Sequence, residues 1–549
     1  MESAFQSTDQ LDMAEARHID AEKLTASERT RLCSAVRRKP RFLVIGAGRR
    51  GTAYASAVGR EGLPAIIAAI ADPIRSKRIS FGEKYIWKDG TPREDQDFDS
   101  WQQFLRYERS RREAEATGEK VYAGIDGIIL CTQDQTHKGI LQAFGPLRLH
   151  VLCEKPIATT LQDCQDIYVS LGGAKSPEKI FSTGHVLRYS PHNMLLRKLL
   201  LEDRAIGELV SVEHTEPVGW FHFSHSYVRG NWRKESIAAP SLLCKSCHDI
   251  DFILWLLCYK TDFGEPAHMP SLVSSVGNLS VFTKRRKPEA AGNATNCFSC
   301  SHEQNCDWSA KKMYIEKLYN KGHKDFPVCV VVPDIEEITA KAGTDYGRAV
   351  LTQVLSSDYN ASTPRATIES KQWYGRCVWE SDNDVLDDQI VTLTWDDDSR
   401  SVSGKEFPDR GPKTAVFHMV AFTEAECERR GKISGTHGEI QYDSKEIRVY
   451  KFDNFLQPEA ARFFTPPKAA GGHGGGDGGL MNGFSKAVEA VINGELSVEQ
   501  AQAKYVGCTL KEAFMSHAMV FAAEEARLGR KIVDWQDWWA KLEQRLLSQ

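Results

Sequence analysis

The stretch "RFLVIGAGRRG", Arg41 to Gly51, constrains this chain more than any other. An apolar run rich in β-formers breaks on glycines at Gly46, Gly48 and Gly51, and "TAYASAV" continues as a helix former. Each glycine in a G-x-G-x-x-G turn has its own reason. Gly46 permits the tight bend, Gly48 lets the backbone approach a pyrophosphate, and Gly51 lets helix and sheet pack closely. The helix N-terminus offers unpaired N–H groups and the positive end of its dipole to phosphates. A second apolar run, "PAIIAAIADP", ends at Asp72, whose carboxylate would accept the ribose diol and repel a 2′-phosphate. Gly46, Ala47, Gly48, Arg49, Arg50, Gly51 and Asp72 therefore predict a dinucleotide site that favours NAD. Arg49, Arg50 and Arg75 leave NADP as the alternative.

At 549 residues the chain exceeds one core and predicts two or three domains. Residues 1–38 are polar and read as a tail. From 39 to 180, "RFLVIGAG", "PAIIAAIADP", "GIDGIILCTQ" and "LHVLCEKP" read as buried parallel strands between helical stretches, a Rossmann dinucleotide-binding domain. The charged segment around "SWQQFLRYERSRREAEA" reads as an exposed helix within it. Residues 181–535 carry alternating strands ("LVSVEHTEPV", "QIVTLTWDDD", "TAVFHMVAF", "EIQYDSKEIRVYKF"). They predict an α/β substrate and oligomerisation domain on a large, open, mainly antiparallel sheet. An insertion at 283–375 breaks the rhythm, "AAGGHGGGDGGL" reads as a glycine loop, 480–535 as C-terminal helices and 536–549 as a tail.

In this order, "RFLVIGAGRRG", "GIILCTQDQTHKGI", "HVLCEKPIATT" and "GHVLRYSP" resemble the glucose–fructose oxidoreductase / inositol dehydrogenase / rhizopine-catabolism (Gfo/Idh/MocA) family, closely over Arg41 to about Val210 and loosely beyond. The resemblance implies a Rossmann domain beside a sheet that walls the site and mediates oligomers. It also implies NAD or NADP and a sugar, cyclitol or related polyol as substrate. Lys155 of the E-K-P motif lies at the carboxyl end of a parallel strand, where ligands of such sheets bind. There it can hydrogen-bond a reacting hydroxyl while hydride passes to or from a nicotinamide. Glu154, Lys155, Thr132 and His137 fall where the family borders its dinucleotide.

The family's second catalytic group is a histidine with an aspartate four residues earlier. Here His248 stands in that place and Cys244 replaces the aspartate; Lys245 is the nearest polar substitute. Imidazole titrates near neutrality, so His248 is the expected proton shuttle. "GWFHFSHSYVRGNWR" crowds His222, His225, Arg229 and Trp232 together, a set suited to a polyhydroxylated ring. Arg188 and His473 complete the expected substrate-facing group. Cys297, Cys300 and Cys306, spaced C-x₂-C-x₅-C inside the insertion, predict a structural zinc, with iron–sulfur as the alternative; His302, Cys329, Cys244 and Cys247 are the candidates for the fourth ligand, and the spacing does not choose among them.

A net charge of −4 disfavours nucleic acid and anionic membranes as partners, and the longest apolar run, "FILWLLC", is too short to span a bilayer. Fourteen cysteines without an apolar leader read as reduced thiols of a cytoplasmic protein. Three readings remain at this stage. One is an NAD-dependent dehydrogenase; the others are a redox-neutral glycosidase that returns its hydride and a non-catalytic NAD-binding sensor.

Overall fold

The computed structural model describes residues 37–60, 62–88, 90–173, 177–258, 267–398, 401–402, 405–406, 410–466, 469 and 471–547. Of the expected N-terminal tail, all but Arg37 and Arg38 lies outside these residues. Strands β1 (Arg41–Ile45), β2 (Ile66–Ala71), β3 (Asp97–Phe98), β4 (Gly127–Leu130), β5 (His150–Cys153) and β6 (Phe181–Thr183) form a parallel sheet ordered β3-β2-β1-β4-β5-β6. Both β4 and β5 are buried along their whole length, which is why they read as unbroken apolar runs. Strand order reverses between β1 and β4, and that reversal opens a crevice at the strands' carboxyl ends. Gly46 and Lys155 follow β1 and β5 at this edge. Helix α1 (Arg49–Arg60) leaves the glycine turn, and α2 (Trp101–Ala116) is the expected charged helix, though it buries Phe104, Leu105 and a Glu108–Arg111 ion pair.

The second sheet has nine strands. They are β7 (Leu209–Pro217), β8 (Leu272–Asn278), β9 (Asp388–Trp395), β10 (Lys413–Val420), β11 (Arg430–Gly435), β12 (Gly438–Tyr442), β13 (Ile447–Lys451), β14 (Arg462–Phe464) and β15 (Val533–Asp534). Their order is β14-β13-β12-β11-β7-β10-β9-β8-β15, and β7 with β10 is the parallel pair in an otherwise antiparallel array. Burial alternates residue by residue along β9 and β10, as a sheet covered on one face requires. Helices α3 (Cys247–Leu257) and α5 (Leu510–Gly529) cover that face, against β7 and β8.

Two C-terminal expectations change. Helix α4 (Gly476–Ile492) begins inside the glycine run and packs on α1, so Asp477 sits in a helix first turn. The last segment is α6 (Trp535–Leu547) and buries Trp535 and Leu542, because its apolar stripe has a core to meet. The insertion occupies the whole excursion between β8 and β9. It has a small core of its own, around Met313, Tyr314, Ile335, Leu351 and Leu355. It also reaches the Rossmann part: the Arg49 guanidinium lies 4.7 Å over the Phe326 ring, and Ser76 Oγ is 3.3 Å from Asp334.

Candidate active site

The glycine turn has the shape its spacing requires. Gly46 has φ +103°, and a Cβ there would stand 2.5 Å from the Cys131 carbonyl oxygen; one on Gly51 would stand 2.1 Å from the Gly46 oxygen. Over Gly48 the space is open, so the loop presents a cradle that a side chain would fill. The Asp72 carboxylate accepts hydrogen bonds from Ala47 N (2.7 Å) and Ile74 N (2.8 Å), which pins it beside the loop at the end of β2. These residues fit a dinucleotide: a diphosphate over Gly48 at the start of α1, a ribose toward Asp72.

The two arginines of the turn do other work. Arg49 faces the insertion's Phe326. Arg50 points inward, with Nε 2.7 Å from Glu154 and Nη2 2.9 Å from Asp477, while Tyr54 Oη also donates to Glu154. Burial opposes the charge on Glu154, but Arg50 and Tyr54 outweigh it and hold the carboxyl below its usual range. Asp477 is held low in the same way, by His473 and Arg50 against burial. Glu154 and Arg50 thus brace the turn through a buried ion-pair network.

Lys155 projects from the carboxyl end of β5, and its Nζ donates to the main-chain oxygen of Cys244 at 2.8 Å. The residue that replaces the expected aspartate therefore contributes through its backbone. His248, one turn on in α3, is buried, and its Nδ1 has no hydrogen-bond partner among the described residues. Burial, with Lys155 and Arg429 adding, pushes it well below the ordinary histidine value, so it stands neutral. The rings of His185 and His473 lie 5.9 Å and 6.0 Å from it. His473 Nδ1 is 3.0 Å from Asp477, which links this histidine group to Arg50. Trp232 Nε1 donates to Asp134 at 3.0 Å, and Asp134 in turn feels both His137 and Lys155.

The sheet supplies a charged wall. Glu216 on β7 lies between Lys245 (3.0 Å) and Arg429 (3.1 Å), and Arg429 also holds Asp249. Lys245 Nζ is 2.9 Å from Cys427 Sγ; Cys427 and Glu216 favour its ammonium against burial and keep its value high. His222, Glu426 and Cys427 lie close enough to share a cation, though the Lys245 ammonium already presents a positive charge to that sulfur. Glu216, Asp249, Cys427 and Arg429 were not singled out from sequence. A usable signal existed for one: period-two alternation puts Glu216 on the same buried face of β7 as His214.

Several expected site residues are placed elsewhere. Arg188 forms two 2.8 Å bonds to Asp251, a buried pair that ties the Rossmann part to α3. His225 packs in the insertion against Tyr314 (2.6 Å), Phe326 and Tyr374. Arg229 is turned into the insertion, where it bonds the carbonyls of Arg376 and Trp308. His137 is fully buried, with its ring nitrogens 3.0 Å from Pro156 O and 3.3 Å from Thr132 O; it joins the turns after β4 and β5 and so positions Lys155.

Residues 40–185 match the model of a family described as "Oxidoreductase family, NAD-binding Rossmann fold". The chain is 30% identical over 133 residues to 2,7-anhydro-N-acetylneuraminate hydratase of Escherichia coli (strain K12), covering 24% of this chain and 34% of the relative. It is 29% identical over 137 residues to inositol 2-dehydrogenase 1 of Saccharopolyspora erythraea, covering 25% and 36%. In both cases the match spans about a third of the relative's length. The fold is similar to that of levoglucosan dehydrogenase solved with NADH, at TM-score 0.54 and 15% identity, over 90% of this chain and 98% of that one. No described helix is long and apolar enough to cross a membrane.

Proposed function

We propose, for a chain that belongs to the Gfo/Idh/MocA oxidoreductase family, that it moves hydride between NAD and a hydroxyl-bearing carbon of a sugar, sugar acid or cyclitol. The observation that carries this reading is the opposition of Lys155 and His248. A cationic donor ends β5, and its charge acts on a buried neutral imidazole whose Nδ1 has no partner among the described residues. When bound, the nicotinamide supplies the hydride acceptor. Lys155 orients the reacting hydroxyl through a hydrogen bond, and His248 Nδ1 takes its proton as the carbon gives up hydride. Asp72 supports NAD over NADP, since its carboxylate stands where a 2′-phosphate would lie and Arg49 and Arg50 are turned away. Trp232, His222, Lys245 and His473 line the substrate side, with the open sheet as wall and, by family likeness, as the surface between subunits. A zinc ion in the insertion would take no part in the chemistry.

A second reading keeps the same residues but returns the hydride, so that a glycosidic or anhydro bond is broken without net NADH. The packing of the insertion against the phosphate loop, through Arg49–Phe326 and Ser76–Asp334, favours it, because a covered dinucleotide exchanges slowly. The deciding experiment is a panel of sugars, sugar acids, cyclitols and anhydro-sugars, followed both for NADH absorbance and for product. Net NADH supports the dehydrogenase, and product without NADH supports the hydride-returning reading. NAD binding with no turnover on any member, unchanged in Lys155→Met, would leave only a sensor.

A further inference from the structure

The insertion brings together more than the three cysteines whose spacing is visible. Cys297, Cys300, Cys306 and Cys377 line one small pocket together with His302, Glu303, Trp308 and Trp379. The two segments are held in register by backbone bonds, Cys297 N to Gly375 O at 2.9 Å and Cys377 N to Thr295 O at 2.8 Å, around an antiparallel bridge between Asn296 and Arg376. All four cysteines carry free thiols. The Cys297 sulfur is met by a main-chain donor, Ala310 N at 3.4 Å.

A second, independent observation points to an anion here. The Arg229 guanidinium is 1% exposed and meets no carboxylate among the described residues. Its bonds go to the carbonyl oxygens of Arg376 (2.8 Å) and Trp308 (2.7 Å), Nη2 lies 3.9 Å from Cys297 Sγ, and Nη1 has no partner. A buried cation of this kind requires a nearby negative charge. Neutral thiols do not supply one. Four thiolates on a divalent ion carry a net charge of −2 and do.

We infer that Cys297, Cys300, Cys306 and Cys377 bind one structural zinc ion, with Arg229 as its buried counter-charge. Binding releases the thiol protons and forms four Zn–S bonds, with no change of oxidation state. The sulfurs must draw together on the ion, since among the described residues they do not already form a compact ligand set. The ion would fasten the 297–306 segment to the strand-like segment at Arg376 and Cys377. An excursion with so small a core gains the kind of cross-link that small domains commonly need.

The test is metal analysis of the full chain purified with zinc in the medium. The expected result is about one zinc per chain. Cys377→Ser and Cys300→Ser should each lower retained zinc at least about tenfold, the scale on which lost ligation weakens such sites. Cys164→Ser, which removes a buried thiol of the Rossmann part, should leave the content unchanged. Should the ligand variants fail to fold, cobalt substitution of the wild-type chain gives the answer: thiolate-to-cobalt charge-transfer bands with tetrahedral d–d absorption support the site. Zinc-free folded protein, full retention in Cys377→Ser, or iron with inorganic sulfide in place of zinc would overturn the assignment.

Discussion

Lys155 donates to the main-chain oxygen of Cys244 at 2.8 Å, so the cationic tip of β5 is anchored to the residue four places before His248. A backbone oxygen at this position fixes the ammonium without bringing an opposite charge to it. Lys155→Met should therefore remove the hydroxyl's partner and keep the fold. Turnover on any active substrate is expected to fall about 10²–10⁴-fold, the range typical of a lost proton-transfer group. NAD affinity, followed by titration calorimetry, should stay within a few-fold. A comparable loss of NAD binding would place Lys155 with the cofactor instead of the hydroxyl.

The inward turn of Arg50 makes a different prediction, on stability. Replacing it with Met leaves Glu154 and Asp477 buried without their shared cation, and breaking a buried pair from one side costs about 3–5 kcal/mol. Asp477→Asn should cost clearly less, because Arg50 keeps Glu154 and the amide still faces His473. Denaturant unfolding of the two variants gives the comparison. Equal losses would mean that Glu154 does not depend on Arg50.

These two sites also mark how far the sequence could be read. The parallel strands, the turn at Gly46 and the stop at Asp72 were legible because each depends on neighbours within a few residues. The same local pattern could not tell where an arginine points. Arg50 sits in the phosphate turn yet pairs with Asp477 from the far end of the chain, and Arg188 pairs with Asp251 on α3. Arg229, His225 and Cys377 depend on how the insertion folds back on itself, through contacts that hydrophobic periodicity does not encode. Glu216 and Arg429 became visible only when β7 and β11 were side by side.

His185 supplies a pH prediction whose sign can be worked out. Burial, with Arg188 and Lys155 adding and Asp251 opposing, lowers its folded value to about 4, against about 6.5 in an unfolded chain. The unfolded state therefore takes up the proton first. The contribution is fully present above the unfolded value and is lost as pH falls from about 6.5 toward about 4, worth roughly 2–3 kcal/mol at its lower end. His185→Leu should flatten this part of the stability-against-pH curve while keeping the apolar contacts. Unfolding free energies measured at several pH values across that window provide the check, and an unchanged slope in the variant would assign the acid sensitivity to other groups.

The phosphate turn separates folding from binding within one motif. A methyl on Gly51 would press on the Gly46 carbonyl at 2.1 Å, backbone against backbone, with no side chain able to yield. Gly51→Ala is expected to cost about 1–3 kcal/mol or more, since overpacking a tight contact forces the backbone to shift. A methyl on Gly48 meets nothing, so Gly48→Ala should lose less than about 1 kcal/mol of stability. It would instead occupy the space taken by a diphosphate and weaken NAD binding by about tenfold or more, a change of about 1.4 kcal/mol. Thermal unfolding with and without NAD distinguishes the two variants. Gly48→Ala should keep its melting temperature but lose most of the NAD-induced shift, whereas Gly51→Ala should melt earlier in both conditions. If Gly48→Ala kept the full shift, the open space above that glycine would not be where the cofactor's phosphates lie.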